Sequence, residues 1–356
     1  MATETESAER TAPASALLVT VITRGSPTQL SGGYLYHRRL AEAAPAHDAV
    51  LEFVSASPFR DPLRRARGVP VVDSITAWSV GPWAGRHRGP LAAILHQPPG
   101  GLGRGARRTR WQRALDLACY RRCGLLVAAS AALAGALEVE HGLDPARILV
   151  IEPGCDMPPV AGPVPDLRDG RRVALLCVAN WLPSKGVLQL LEALSSLPPD
   201  RATLHLAGRE DVDAPYGARV RARIAAADLR DRVVAHGPLA RQEVAGLYAA
   251  ADAFVLPSWV EAYGTVYGEA LAAGLPVVGW AAGNLPNLVT DGVEGRVLPA
   301  GDVLMLTSVL DRLAVDDDWR AALGAAARRR GATLPTWADA AAAFFAAVRA
   351  LSAGRG

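Results

Sequence analysis

The sequence predicts an α/β protein built of two Rossmann-like domains, each a mostly parallel sheet with helical crossovers, facing one cleft. Three observations carry that expectation. Short apolar runs rich in β-branched residues alternate with stretches of helical period, the pattern of strands buried on both faces. The alternation stops at a Pro-rich stretch near the middle and then starts again. The chain has 356 residues, half of them hydrophobic, which is more than one core usually serves.

Residues 1–15 are rich in Ala, Glu and Thr and are expected to be a disordered tail. Residues 16–23 form a β-branched apolar run closed by Arg-Gly-Ser-Pro, which reads as a buried strand. Ser31-Gly32-Gly33 then opens a helical period through Tyr34, Leu35, Leu40 and Ala41. Residues 50–54, 69–72 and 91–95 read as further strands, and Pro-Pro-Gly-Gly breaks the chain soon after His96. A basic helix over 107–122 and strands at 125–128 and 148–151 complete the first half. Residues 156–170 hold four Pro and two Gly, which is linker composition.

Beyond the linker, strands are expected at 173–178, 203–207, 233–236, 253–256 and 276–278. Helices are expected at 187–197, 219–227 and 242–250, with another carrying Glu269. The final stretch, 337–351, spaces Phe344, Phe345, Val348 and Leu351 as a helix face. The expected division is therefore a tail 1–15, a domain 16–165, a second domain 166–335, and a last helix, 336–356, crossing back to the first domain. Ligands of such sheets sit at the carboxyl ends of the strands.

Charge and composition exclude several classes. The net charge is +3, with 18 Arg against 14 acidic residues up to Pro165 and 20 basic against 21 acidic residues after it. That asymmetry is too weak to argue for nucleic acid. Cys119, Cys123, Cys155 and Cys177 include no C-x-x-C pair and read as reduced thiols. The acidic first residues are unlike a secretory leader, and no apolar run approaches the roughly 20 residues of a membrane span. A cytoplasmic enzyme is expected, either a monomer or a homodimer. Of the 38 basic residues 37 are Arg, and Lys185 is the single Lys.

The most informative stretch is Pro257-Ser258-Trp259-Val260-Glu261-Ala262-Tyr263-Gly264-Thr265-Val266-Tyr267-Gly268-Glu269. A strand ends at Pro257, a loop follows, and a helix starts near Thr265. Gly264 admits a close backbone approach, and the free amides at the helix start, Thr265 and Val266 among them, suit phosphate. Glu261 and Glu269 flank that anion site, where each carboxylate can accept hydroxyl hydrogen bonds from a sugar. Lys185 stands between a strand and a helix, where an ammonium meets a diphosphate as a point charge. Gly32 and Gly33 follow the first strand and allow phosphate approach from the other domain. Asp211-Val212-Asp213 has the letters of a metal-binding pair but falls in a polar stretch far from the phosphate block.

On these residues the chain resembles the family 4 retaining glycosyltransferases of the glycosyltransferase B fold. The resemblance rests on Gly32-Gly33, on the His of Ile94-Leu95-His96, on 127–133 and 151–156, and on Lys185-Gly186. It rests further on the E-x7-E of Glu261 and Glu269, on Gly274-Leu275-Pro276-Val277-Val278, and on Gly283-Asn284-Leu285-Pro286. It implies an acceptor-binding first domain and a nucleotide-sugar-binding second domain. It implies that Glu269 binds the nucleotide ribose, Glu261 the hydroxyls of the transferred sugar, and Lys185 the leaving diphosphate. Amides near Tyr263, Gly264, Thr265 and Val266 would help, Gly33 would close on the phosphates, and His96 would sit beside the reacting carbon. Where the family commonly has Arg before the lysine, this chain has Asn180, so either another Arg, with Arg209 the candidate, replaces the missing cation or phosphate binding is weaker.

The implied reaction is metal-independent transfer of a sugar from a nucleotide-diphosphate donor, a UDP-sugar by preference, to a small-molecule or lipid-linked acceptor, with retained configuration and no cofactor. Alternatives on the same fold are a sugar-nucleotide epimerase, a hydrolase, a phosphorylase, or a non-catalytic nucleotide-sugar-binding protein. Trp78, Trp83, His87 and Arg88 are acceptor candidates by position alone. Arg104, Arg107, Arg108, Arg110, Trp111 and Arg113 suggest a weak peripheral membrane contact.

Overall fold

The computed structural model describes residues 16–24, 32–57, 59–101, 110–160, 162–261 and 263–354. Its first sheet is made of β1 (Leu17–Thr23), β2 (Ala49–Ser55), β3 (Val69–Asp73), β4 (Ala92–Leu95), β5 (Leu125–Ala128) and β6 (Ile148–Val150). Its second sheet is made of β7 (Val173–Val178), β8 (Ala202–Ala207), β9 (Val233–Gly237), β10 (Ala253–Leu256), β11 (Val277–Trp280) and β12 (Gly295–Leu298). Every pairing in both sheets is parallel. Residues of β3, β4, β8, β10 and β11 are buried along their whole length, which is why these segments read as continuous apolar runs.

Between the strands of the first half run α1 (Gly32–Ala43), α2 (Ala77–Ala84), α3 (Arg110–Tyr120) and α4 (Ala131–Val139). The second half adds α5 (Val187–Ser195), α6 (Ala214–Ile224), α7 (Arg241–Ala250), α8 (Thr265–Ala273), α9 (Leu285–Leu288), α10 (Val303–Val315), α11 (Asp317–Gly331) and α12 (Trp337–Ser352). The helix expected over 219–227 begins instead at Ala214, because Asp213 caps it by accepting from the Tyr216 amide at 3.0 Å. Helices α4 and α11 carry much Ala, which gives little contrast between faces and no clear period in the sequence. No helix among the described residues is long and apolar enough to cross a membrane.

Strand order places the switch points. The first sheet runs β2-β1-β3-β4-β5-β6 and the second β12-β11-β10-β7-β8-β9. Chain direction across the sheet therefore reverses between β1 and β3, and between β10 and β7. Crevices open beyond the carboxyl ends of those pairs.

The C-terminal helix α12 belongs to the first sheet's core. Phe344, Phe345 and Val348 are packed with Val19, Val21, Tyr36 and Leu40. Two strands of chain cross between the sheets side by side. A Cβ on Gly154 would lie 2.2 Å from the Trp337 amide nitrogen, so only glycine permits the contact. The Cys155 amide donates to the Pro335 carbonyl at 3.0 Å, and the Trp337 amide donates to the Asp156 carboxylate at 2.6 Å. Thr336 and Asp339 then cap α12 reciprocally.

Candidate active site

The loop from β7 to α5 carries Lys185 through a single 3-10 turn, Pro183–Lys185, and turns into α5 at Gly186 with φ of 69°. A Cβ at Gly186 would meet the Pro257 carbonyl oxygen at 2.1 Å, so this loop lies flush against the end of β10. The Ser184 carbonyl accepts from the Trp259 amide at 2.8 Å and from the Ser258 hydroxyl at 3.0 Å. Lys185 is thereby delivered onto Glu261, and its ammonium forms an ion pair with the Glu261 carboxylate. Both side chains are largely buried, at the switch point between β7 and β10.

Glu261 is held by its backbone. Its carbonyl accepts from the Asn284 amide at 3.1 Å, and a Cβ on Gly283 would lie 2.2 Å from that same oxygen. The buried Asn284 side chain donates to the Tyr263 carbonyl at 3.1 Å. Gly283 and Asn284 were visible in the sequence as a motif, and their task is to clamp the loop between the two glutamates. Gly264, with φ of 82°, starts α8 with no side-chain cap, which leaves the first-turn amides of Thr265 and Val266 open toward the loop. The Tyr263 side chain turns the other way. It is buried, and its hydroxyl lies 3.4 Å from Cys155 Sγ. Burial pushes the Cys155 thiol up to about 12, so it stays protonated.

Glu269, in the second turn of α8, is 5% exposed. Arg241 Nη1 donates to its Oε1 at 2.9 Å, and the Tyr248 hydroxyl lies 3.2 Å from its Oε2. Burial raises its pKa, while Arg241 and, more weakly, Tyr248 and Arg39 pull it down. Arg39 lies on α1, so a charge of the first half acts on a carboxylate of the second. Arg241 had no signal in the sequence, because one Arg among 37 at a helix start is unremarkable until folding brings it to Glu269.

In the first sheet, Gly33 and His96 meet. A Cβ at Gly33 would stand 3.2 Å from the imidazole Cδ2. The His96 amide donates to Ser74 Oγ at 3.2 Å, and its Nε2 is buried without a hydrogen-bond partner among the described residues. Burial, and then the neighbouring His37, push His96 down to about 4. His37 is buried with Asp73, its Nε2 2.9 Å from the Asp73 carboxylate. Thr23 at the end of β1 donates to the same carboxylate at 2.8 Å, across the first sheet's switch point. Burial alone would raise Asp73, but the His37 contact and the Ile75 amide hold it at about 2. Gly32 begins α1 beside this cluster.

Arg209 and the acceptor candidates have other partners in this structure. The Arg209 guanidinium is engaged with Asp211 at 2.9 and 3.0 Å, and only its backbone amide meets the site loop, donating to Asn180 Oδ1 at 3.0 Å. Asp211 is thus an ion-pair partner and Asp213 a helix cap, which accounts for both carboxylates of that pair. Trp83, His87 and Arg88 line a cavity of about 550 Å³ with Asp61, Arg64 and Arg86. That cavity lies where α2 returns to the amino end of β4, at the far edge of the sheet from His96, so these residues are not in the cleft. Trp78, at the start of α2, packs edge-on against Trp111 with ring centres 6.0 Å apart. Of the basic stretch near 104–113, only Arg110, Trp111 and Arg113 fall within the described residues, and Arg113 contacts His141 at 3.0 Å.

The loops at the second switch point therefore offer an ammonium, open helix amides and two carboxylates, and the first sheet offers a glycine over a neutral imidazole. A profile described as glycosyl transferases group 1 matches residues 165–330, and one for glycosyltransferase family 4 matches residues 15–157. Among curated relatives, a D-inositol 3-phosphate glycosyltransferase of Xylanimonas cellulosilytica is 35% identical over 238 residues, 61% of this chain and 56% of that one. A GDP-mannose-dependent alpha-(1-6)-phosphatidylinositol monomannoside mannosyltransferase of Mycolicibacterium smegmatis is 31% identical over 196 residues, half of each chain. The chain spans about half the length of the curated relatives it matches. Sucrose-phosphate synthase from Thermosynechococcus elongatus shares the fold at a TM-score of 0.80 and 20% identity, covering 95% of this chain and 99% of that one. HepE of Anabaena, solved with UDP and glucose, does so at 0.75 and 18%, covering 94% and 100%.

Proposed function

The chain belongs to the group 1 glycosyltransferases of family 4, and from that premise we propose that it moves a sugar from a nucleoside-diphosphate donor to an acceptor hydroxyl, with retention of configuration and without a metal. The observation that carries this reading is the Lys185–Glu261 ion pair beside the open amino end of α8. Breaking the bond between the anomeric carbon and a phosphate oxygen concentrates negative charge on the departing diphosphate. A fixed ammonium and helix amides stabilise that charge more in the transition state than in the bound donor.

In the free protein Glu261 neutralises Lys185. An arriving diphosphate competes for the ammonium and frees the Glu261 carboxylate to accept hydroxyl hydrogen bonds from the transferred sugar. Glu269 would take the ribose hydroxyls. Gly33, lacking a side chain, leaves room for phosphate over the His96 ring. The acceptor oxygen bonds to the anomeric carbon on the face the diphosphate leaves, and its proton passes to the departing phosphate oxygen. A UDP-sugar is the donor we favour. The relatives' names, with inositol phosphate and a phosphatidylinositol glycoside among their acceptors, point to a polyol or lipid-linked hydroxyl.

Thermal-shift measurements across a panel of nucleotide sugars test the reading. A donor at 100 times its dissociation constant raises stability by about 2.7 kcal/mol. Transfer with the responding donor, followed by NMR of the anomeric proton in excess chelator, is expected to give undiminished rate and a retained configuration. Loss of activity with chelator, or an inverted product, refutes it.

A further inference from the structure

We propose that Arg241 is a positioning residue of the donor site: its guanidinium holds the buried Glu269 carboxylate ionised and aimed, and hooks it to the chain that crosses between the two sheets. The inference rests on the reading of Glu269 as the ribose-binding carboxylate.

A carboxylate this buried is costly to keep charged unless a cation and hydrogen bonds compensate. The groups facing Glu269 come from three parts of the chain. Arg241 and Tyr248 lie on α7, Arg39 acts from α1, and Cys155 faces it from the crossing segment. Tyr248 and Cys155 are neutral at working pH, and Arg39 spends a hydrogen bond on Glu42 at 2.9 Å. Direct charge compensation therefore falls to Arg241.

The same guanidinium has a second engagement. Its Nη2 donates to the Asp156 carbonyl at 2.7 Å, while the Asp156 carboxylate accepts from the Trp337 amide that opens α12. Glu269, Arg241, Asp156 and α12 thus form one chain of hydrogen bonds from the donor site to the core of the first sheet. The fork geometry of Arg serves both contacts at once through separate nitrogens. Glu269 is oriented from behind, leaving its remaining oxygen lone pairs for a diol.

The test reads the carboxylate itself, so it needs no donor. Protein labelled with ¹³Cδ glutamate is titrated by NMR, with the Glu269 signal assigned by its loss in Glu269→Gln. In Arg241→Gln the Glu269 inflection is expected to move up relative to wild type, and in Arg241→Lys to stay near it. An unchanged inflection in Arg241→Gln overturns the proposal. The consequence for donor follows on the same proteins: in Arg241→Gln the donor KM rises about tenfold at pH 6, the size of one charge-assisted hydrogen bond, and returns toward wild type as pH rises, with kcat unchanged. A KM change in Arg241→Gln that is the same at every pH would mark a merely structural residue and also overturn it. Arg241 is partly exposed at a helix start, and matching circular dichroism confirms that the variants fold. Wild-type protein that binds no nucleotide sugar would instead sink the functional reading, a result the ligand-free titration does not depend on.

Discussion

Single side chains set the electrostatics of the proposed donor site. Lys185 is the one ammonium in a chain that otherwise uses Arg, and Glu261 sits on it before any donor arrives. Replacing Lys185 with Ala is expected to lower kcat by about 10² or more, the loss that follows removal of one transition-state donor. Wild-type turnover in that variant would remove Lys185 from the mechanism. His96 is a second residue with a fixed state. Because burial and His37 depress it to about 4, the ring is neutral between pH 6 and 8 and brings no charge to the cleft. A histidine whose folded pKa lies below its unfolded value costs stability as pH falls through the unfolded value near 6.5 toward 4. An imidazole NMR titration should show the His96 inflection in the acid range, and an inflection near 6.5 would contradict the buried geometry.

The packing of α8 turns these residues into a site. Its glycines do different work: Gly264 opens the helix at a left-handed φ where a Cβ would meet the Tyr267 ring at 2.5 Å, and Gly268 lets it lie against the crossing segment. A Cβ on Gly268 would fall 2.2 Å from Cys155 Sγ. Gly268→Ala is therefore expected to destabilise by about 1–3 kcal/mol, as overpacked cores do. Cys155→Ala should recover most of that loss, because it removes the clashing sulfur, and thermal melts of the single and double variants measure the coupling. Additive effects would mean that α8 does not seat as described. The two glutamates of this element were legible in the sequence because a strand end, a glycine and a helix start lie within a dozen residues of one another. Arg241 and Tyr248, which hold Glu269, were not. They come from another element and meet Glu269 only when β7, β10 and β11 are side by side.

Across the whole molecule, the first sheet is incomplete without the end of the chain. Phe344 is fully buried beside Val19, Val21 and Leu40, although more than 300 residues separate them. Phe344→Ala should cost about 3–5 kcal/mol in urea unfolding, the range for truncating a buried Phe, and the loss belongs to the first half of the molecule. A change under about 1 kcal/mol would show that α12 is not part of that core. The paired crossings at 154–156 and 335–337 join the halves, and Arg241 fastens one of them to Glu269.

Sequence alone determined the alternation of strands and helices, the break near the middle, and the residues of the E-x7-E block, because each is a local pattern of burial or turn chemistry. It also singled out Lys185 by rarity. Only the tertiary structure decided which charges meet. It gave Arg209 to Asp211, sent Trp83, His87 and Arg88 to the far edge of the first sheet, and set Arg241 behind Glu269. The reason is physical: a parallel sheet joins strands that are distant in sequence, so the partners of a side chain at a strand's end follow from strand order, which no local pattern encodes.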